Sequence, residues 1–261
     1  MIILRSATYH LLFSLWTLIA GVAFLPLMLA PRLVVQHAAG YWVHGTLALQ
    51  RIVLGLRYEI RGREHLPEGP AVIAAKHQSA WETLIFHVLL PDTVFVLKKS
   101  LLWLPLIGWY LLKTRQIAID RAAGMKALGM MAKAARVSLA RGSQVVIFPE
   151  GHRQPPGATG TYLPGVAMLY GEGGGNVPVI PVALNSGLFW PRNAFRRRPG
   201  LIVMQILPPM AAGLDRRAFM TELRTRIEAS TRALEAEALT RYPDLVVSSP
   251  IAGEVTGQGG H

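Results

Sequence analysis

The segment from Leu11 to Ala30 (LLFSLWTLIAGVAFLPLMLA) carries no charged residue and is apolar almost throughout. Crossing the hydrocarbon core of a bilayer takes about 20 such residues, so this run is long enough to enter a membrane. Arg5 and His10 precede it and Arg32 follows it. A cleaved leader would need small residues ahead of the cut, and Met28 at the minus-three position, with Pro31 directly after Ala30, opposes that pattern. Pro26 predicts a kink near the end of the run. The next stretch, Leu33 to Leu56, sets Tyr41, Trp42 and Leu47 among Gln36, His37, His44, Gln50 and Arg51, which is an amphipathic pattern. These features predict a helical hairpin that either crosses the membrane or lies partly in one leaflet.

The 261 residues suffice for one α/β domain with an appendage, and 51% hydrophobic against 16% charged residues suits a soluble-type domain carrying a membrane anchor. Lysine and arginine outnumber aspartate and glutamate by 27 to 15. Such an excess draws either nucleic acid or anionic lipid, and the apolar N-terminus selects lipid. Each basic residue close to an anionic leaflet adds about 1 kcal/mol of attraction. Anionic membrane lipids are therefore expected partners and nucleic acid is not. The chain has no cysteine, which excludes disulfides, thiolate metal sites and an acyl-cysteine intermediate.

From Tyr58 onward short β-branched runs alternate with helical patterns, the signature of an α/β domain. Strands are predicted at Ala71 to Ala75, Thr93 to Leu97, Gln116 to Asp120, Gln144 to Phe148, Val177 to Leu184 and Leu201 to Leu207. Helices are predicted at Ser79 to Leu90, Leu101 to Leu112, Gly124 to Arg141 and Arg216 to Leu239, with Asp215 capping the last. The resulting organisation is a membrane hairpin at 1–57, an α/β domain at 58–241 and a tail at 242–261 that lacks periodicity and is expected to be disordered.

Two motifs carry chemistry. In HQSAWE, Glu82 stands five residues after His77, and positions five apart on a helix diverge by about 140°. The two side chains therefore meet only if His77 precedes the helix, with Ser79 as its cap, and Glu82 reaches back from the first turn. That is the arrangement of a general base and its orienting carboxylate. A histidine with an acid five positions on is common by chance, so the pair alone proves little. The second motif, VVIFPEGHR at Val145 to Arg153, runs an apolar strand into Pro149, Glu150 and Gly151. FPEG arises by chance in only a few per thousand chains of this length, at about 5% usage per residue. Ligands bind beyond strand ends in open α/β sheets, so an exposed Glu150 and Arg153 there would be poised for a polar head group.

On these motifs the chain resembles the glycerol-phosphate acyltransferase superfamily, and within it the lysophosphatidic acid acyltransferases. HQSAWE resembles the first block of the family, in which the histidine is the base and the acid orients it. QIAIDR, with Asp120 and Arg121, resembles the second, and FPEGHR the third; both are associated with holding the acceptor's phosphate. VPVIPVALNSG, from Val177 to Gly187, resembles the fourth, linked to acyl-chain binding or domain integrity. The family's basic residue about twenty positions after the histidine is matched by Lys98 or Lys99, and LLWLPLIGWYLLKTRQ resembles its apolar stretch between blocks one and two. The matched region is 71–187.

The resemblance implies a mixed central sheet flanked by helices behind an N-terminal membrane-embedded hairpin. It implies His77 as base with Glu82 as its partner, and Arg121, Glu150, Gly151, Arg153 and Lys98 around the substrate phosphate. Arginine suits that role because its guanidinium fork matches phosphate oxygens, whereas Glu150 would orient Arg153 or Arg121, or accept a glycerol hydroxyl. The implied reaction is direct acyl transfer from an acyl carrier protein or coenzyme A thioester to the sn-2 hydroxyl of lysophosphatidic acid, without cofactor or metal, at the cytoplasmic side of the inner membrane. Three positions depart from the family pattern: Glu82 for aspartate, His152 for threonine and Ala118 for a bulky aromatic. They leave open another lysolipid acceptor, such as a lyso-ornithine lipid, and a non-catalytic lipid-binding protein.

Overall fold

β2 (Ala71–Ala75), β5 (Gln144–Ile147) and β6 (Val179–Leu184) are buried at every residue. Strands of that kind need cover on both faces, which parallel sheets obtain from crossover helices. The computed structural model, which describes residues 1–120, 124–172, 177–192 and 194–245, shows that arrangement. β1 (Leu56–Arg61), β3 (Thr93–Lys98), β4 (Ile117–Ile119) and β7 (Gly200–Ile206) complete a seven-stranded sheet of order β1-β7-β6-β2-β5-β3-β4. Every described pairing is parallel except β6 with β7, so the sheet is mixed, as expected. Pro181 lies inside β6, and the antiparallel register to β7 starts one residue later, at Val182 opposite Ile206. Its missing N–H thus falls where that ladder ends.

Alternation along β2 feeds two cores. Ile73 and Ala75 face a core built with α3 (Trp81–Leu89) and the N-terminal helices α1 (Ile2–Ala23) and α2 (Arg32–Leu49). Val72 and Ala74 face a second core with α5 (Gly124–Leu139), α6 (Gly165–Glu172) and α7 (Arg216–Arg241). Asp215 caps α7, its carboxylate accepting from the N–H groups of Arg217 and Ala218.

Several elements differ from expectation. α1 begins at Ile2 rather than Leu11, because its polar residues face the protein: Arg5 Nε donates to Val53 O at 2.7 Å, and Tyr9 OH accepts from Gln50 Nε2 at 3.2 Å. Pro26 lies in a 3₁₀ turn, Leu25–Leu29, between α1 and α2. The single helix expected over Leu101 to Leu112 is broken into a 3₁₀ turn, Lys99–Trp103, and a short α4 (Ile107–Lys113). Pro105 disfavours helix at the residue before it, Leu106 takes a φ of +62°, and a Cβ on Gly108 would lie 2.0 Å from Leu102 O. β1 and α6 were not among the predicted elements, and positions 246–261 of the predicted tail lie outside the described residues.

The hairpin is packed against itself and against the domain. Trp16 Nε1 donates to Trp42 O at 3.0 Å and Trp42 Nε1 to Thr17 Oγ1 at 3.2 Å. A Cβ on Gly45 would lie 2.5 Å from the Trp16 ring, so glycine admits that indole. At the far end Arg32 makes a two-pronged ion pair with Asp92, one arm at 2.8 Å, and Asp92 also accepts from Ser143 Oγ at 2.6 Å. Leu11, Leu15, Leu18, Ile19 and Val22 form an exposed stripe along the outer face of α1. Among the described residues, α1 alone is long and apolar enough to cross a membrane.

Burial raises the pKa of Asp92, but the Arg32 guanidinium and the Ser143 hydroxyl outweigh it and hold the carboxyl below its usual 3.8. The stabilisation is therefore complete above that value and disappears as pH falls through the lowered pKa. Arg32→Met should destabilise the protein at pH 7 by somewhat less than the about 3–5 kcal/mol of a fully buried pair. The gap to wild type should close in acid. Denaturant unfolding in detergent at both pH values checks this, and equal stability at pH 7 would show that the pair does not hold the hairpin.

Candidate active site

β2 ends at Ala75, and the turn Lys76 to Ala80 delivers the chain into α3. The alternation of the strand continues through this turn, so Lys76 points toward α7 and His77 toward the opposite face. Ser79, two residues before the first residue of α3, accepts from Trp81 N with its hydroxyl at 2.8 Å, while its own N–H donates to Glu82 Oε1 at 2.7 Å. This is a variant of the capping box, spelled by Ser79 and Glu82 in SAWE, in which the hydroxyl serves Trp81 N rather than Glu82 N.

The same carboxylate holds the imidazole. Glu82 Oε1 accepts from His77 Nδ1 at 2.9 Å and from Gln78 N at 2.6 Å. Glu82 Oε2 accepts from Ser79 Oγ at 3.0 Å and Ser186 Oγ at 2.9 Å. The side chain is fully buried, which by itself raises its pKa; the bond to His77 and the N–H of Ser79 outweigh burial and hold it below the usual carboxylate range. An ionised Glu82 keeps the proton of His77 on Nδ1 and leaves the Nε2 lone pair free. The ring stacks on Phe148 at 4.0 Å between centroids and lines a cavity of about 690 Å³. Apart from His77, Thr83, His87 and Lys98, its walls are almost wholly apolar, with Phe95, Leu128 and Met131 among them.

The predicted residues separate into groups. His77 and Glu82 meet as expected, and Lys98 and Gly151 line the same cavity. Gly151 has a φ of +70°, and a Cβ there would lie 2.5 Å from Leu163, so the turn needs glycine. Arg153 is partly exposed and is not among the lining residues, while Arg121 lies outside the described residues. Glu150 is the correction. It is buried instead of exposed, with Oε1 at 3.2 Å from Lys76 Nζ and 3.5 Å from His77 N, because β5 delivers it beneath the turn that carries His77 rather than into the open cavity.

Lys76 is fully buried and anchors the long segment after β5. Its Nζ donates to Glu228 Oε1 on α7 at 2.7 Å and to Ala158 O at 3.2 Å. Tyr162 OH also donates to Glu228, at 3.1 Å, and Glu235 accepts from Gln78 Nε2 at 2.6 Å and Gly157 N at 3.1 Å. Sequence reasoning missed Lys76, Glu228, Glu235 and Ser186 as supports of the site. The pairing of Lys76 with Glu228 spans 152 positions, and no local pattern signals it.

The comparisons with known proteins agree with this geometry. A family model described as Acyltransferase matches residues 57–185. A 1-acyl-sn-glycerol-3-phosphate acyltransferase of Pseudomonas aeruginosa is 37% identical over 240 residues, covering 90% of this chain and 91% of the relative. The chain belongs to the acyltransferase family. The 1-acyl-sn-glycerol-3-phosphate acyltransferase of Escherichia coli K12 is 30% identical over 210 residues, 78% of this chain and 81% of the relative. The crystal structure of the 1-acyl-sn-glycerophosphate (LPA) acyltransferase PlsC from Thermotoga maritima shares the fold, with a TM-score of 0.72 at 18% identity over 90% of this chain and 100% of that one.

In this acyltransferase, Glu82→Gln keeps the shape of the side chain but loses the charge and turns an amide toward a ring of donors. An imidazole held in the wrong tautomer loses about three to four orders of magnitude in kcat. Steady-state kinetics should show that loss with an unaltered circular dichroism spectrum, and near-normal kcat would remove Glu82 as orienter. Lys76→Met strands two buried carboxylates, so urea unfolding should report a loss of about 3–5 kcal/mol. Glu150→Gln should cost less than half of that, because Lys76 keeps Glu228 and the carboxyl of Glu150 is already held above its usual range by burial.

Proposed function

We propose that the protein transfers a fatty acyl group from a thioester to the sn-2 hydroxyl of lysophosphatidic acid, giving phosphatidic acid. The observation that carries this reading is the free Nε2 of His77, fixed by Glu82 at the start of an apolar cavity. A lipid hydroxyl is a weak nucleophile until its proton is accepted. His77 Nε2 takes that proton as the oxygen attacks the thioester carbonyl; the tetrahedral adduct then expels the thiolate, which receives the proton from the imidazolium. Ionised Glu82 stabilises the transient positive charge. The acyl chain lies in the cavity.

Cations at the strand ends suit the phosphate. Lys98 ends β3 and lines the cavity, and it pairs in register with Ile119 of β4, from which the chain continues toward Arg121. Arg121 and Arg153 are the further phosphate ligands of this reading, by the motifs they belong to, and the names of the relatives support this acceptor. No cofactor or metal enters the reaction, and the donor is acyl carrier protein or coenzyme A thioester. The exposed stripe of α1 enters the lipid of the cytoplasmic membrane, with the domain on its cytoplasmic side, in keeping with Arg32, Arg51 and the net charge of +12.

Transfer from a labelled thioester to lysophosphatidic acid, followed in bilayers, tests the reading. His77→Ala should lower kcat by at least about a hundredfold, the smaller contribution of a positioned base. Removing the acceptor's phosphate should abolish efficient turnover. Unchanged rates in His77→Ala would remove the base, and unchanged rates with the dephosphorylated acceptor would point to another lysolipid.

A further inference from the structure

The cavity that begins at His77 has a second imidazole in its wall. His87 stands on α3 one turn after Thr83, and both line the cavity. The aromatic wall passes from His77 to Phe148 at 4.0 Å, from Phe148 to Phe95 at 6.3 Å and from Phe95 to His87 at 5.3 Å between centroids. His87 is thus joined to His77 along the wall through two phenylalanine rings, a place that would meet the body of a bound chain.

The protonation of His87 follows from its neighbour on α2. Gln36 Nε2 donates to Thr93 O at 2.9 Å and lies 3.3 Å from His87 Nδ1. An amide oxygen turned toward the Thr93 carbonyl would be repelled, so the NH2 group faces both acceptors and gives one hydrogen to each. His87 Nδ1 is therefore an acceptor, and the ring proton sits on Nε2. Burial pushes the pKa of His87 down to about 4, which keeps the ring neutral at working pH. Nδ1 turns to Gln36, which is not a lining residue, so it is the remainder of the ring that His87 contributes to the cavity wall; Nε2 has no hydrogen-bond partner among the described residues. The nearby Thr83 hydroxyl gives its hydrogen to Ala80 O at 2.6 Å and offers only its lone pairs.

We propose that His87 Nε2–H is a polar subsite inside the acyl cavity that selects acyl chains bearing an oxygen acceptor, a hydroxyl or keto group, along their length. The inference rests on the acyl-transfer reading given above. A plain methylene chain passing His87 displaces water from this donor and returns nothing. An oxygen at the matching carbon restores the bond, and a protein group built to hydrogen-bond discriminates strongly against a ligand that leaves it unpaired.

The test is a positional series of acyl thioesters of one length, each hydroxylated at a single carbon, in competition with the unsubstituted chain. The kcat/KM ratio of hydroxylated to plain chain should peak at one mid-chain position in wild type, by roughly tenfold. His87→Leu should abolish the peak, and His87→Gln, which keeps a donor, should retain part of it. Displacement of a fluorescent fatty acid by the matching free hydroxy fatty acids, measured on the same proteins, should give the same order. A flat series in wild type, or a peak that persists in His87→Leu, overturns the subsite. Absence of transfer to lysophosphatidic acid with a position-dependent displacement intact would instead overturn the acceptor and spare the subsite.

Discussion

A carboxylate sealed from water stays ionised only where donors replace the water, and Glu82 is the point at which this requirement organises the molecule. Its donors come from the His77 imidazole, the turn at Gln78 and Ser79, and Ser186 beyond β6. One carboxylate therefore ties the helix start, the strand end and the tautomer together. The extra methylene relative to aspartate is absorbed by the capping box: a residue three positions after Ser79 must reach back over the first turn, and glutamate has the length to do so while still meeting His77.

The other face of β2 is organised by the opposite sign of charge. Lys76 and His77 are neighbours, and strand alternation sends one into the α7 layer and the other into the cavity. Lys76 binds Glu150, Glu228 and the carbonyl of Ala158, so the FPEG turn and the irregular chain after it are pinned to α7 rather than left as a mobile loop. Burial raises the pKa of Glu150 and of Glu235, whereas that of Glu82 is lowered. The two clusters therefore respond to pH in opposite senses. Acid removes the stabilisation from Glu82, while rising pH through the raised pKa values of Glu150 and Glu235 erodes stability on the other face.

Much of this was legible in the sequence where the determinant was local. The capping signature in SAWE and the five-residue spacing already required His77 to precede the helix, and the apolar runs located the strands of the motif region. Legibility failed in two physical situations. β1 (LRYEIR) has too much charge to read as a strand, because it lies at the sheet edge and gains its stability from pairing with β7. Glu150 was expected to be exposed because ligands bind beyond strand ends in open α/β sheets; its ion pair with Lys76, far away in the chain, accompanies its burial instead. Lys76 in turn needs Glu228, and such long-range charge compensation has no periodicity to betray it.

The N-terminal hairpin and the cavity are held together by the same polar contacts. α2 supplies Trp42 to the cavity wall, and its Gln36 fixes the proton of His87 while holding the start of β3 through Thr93 O. Arg32, one turn earlier, closes the same seam on Asp92. A helix attached only by its apolar face could slide or rotate at small cost, since hydrophobic contact is non-directional. The polar seam fixes the register of α2 against α3 and β3. The apolar stripe of α1 is thereby fixed in direction relative to the cavity. The direction of the exposed apolar face of α1 and the shape of the cavity are therefore determined by one set of hydrogen bonds, and loosening that set must alter both.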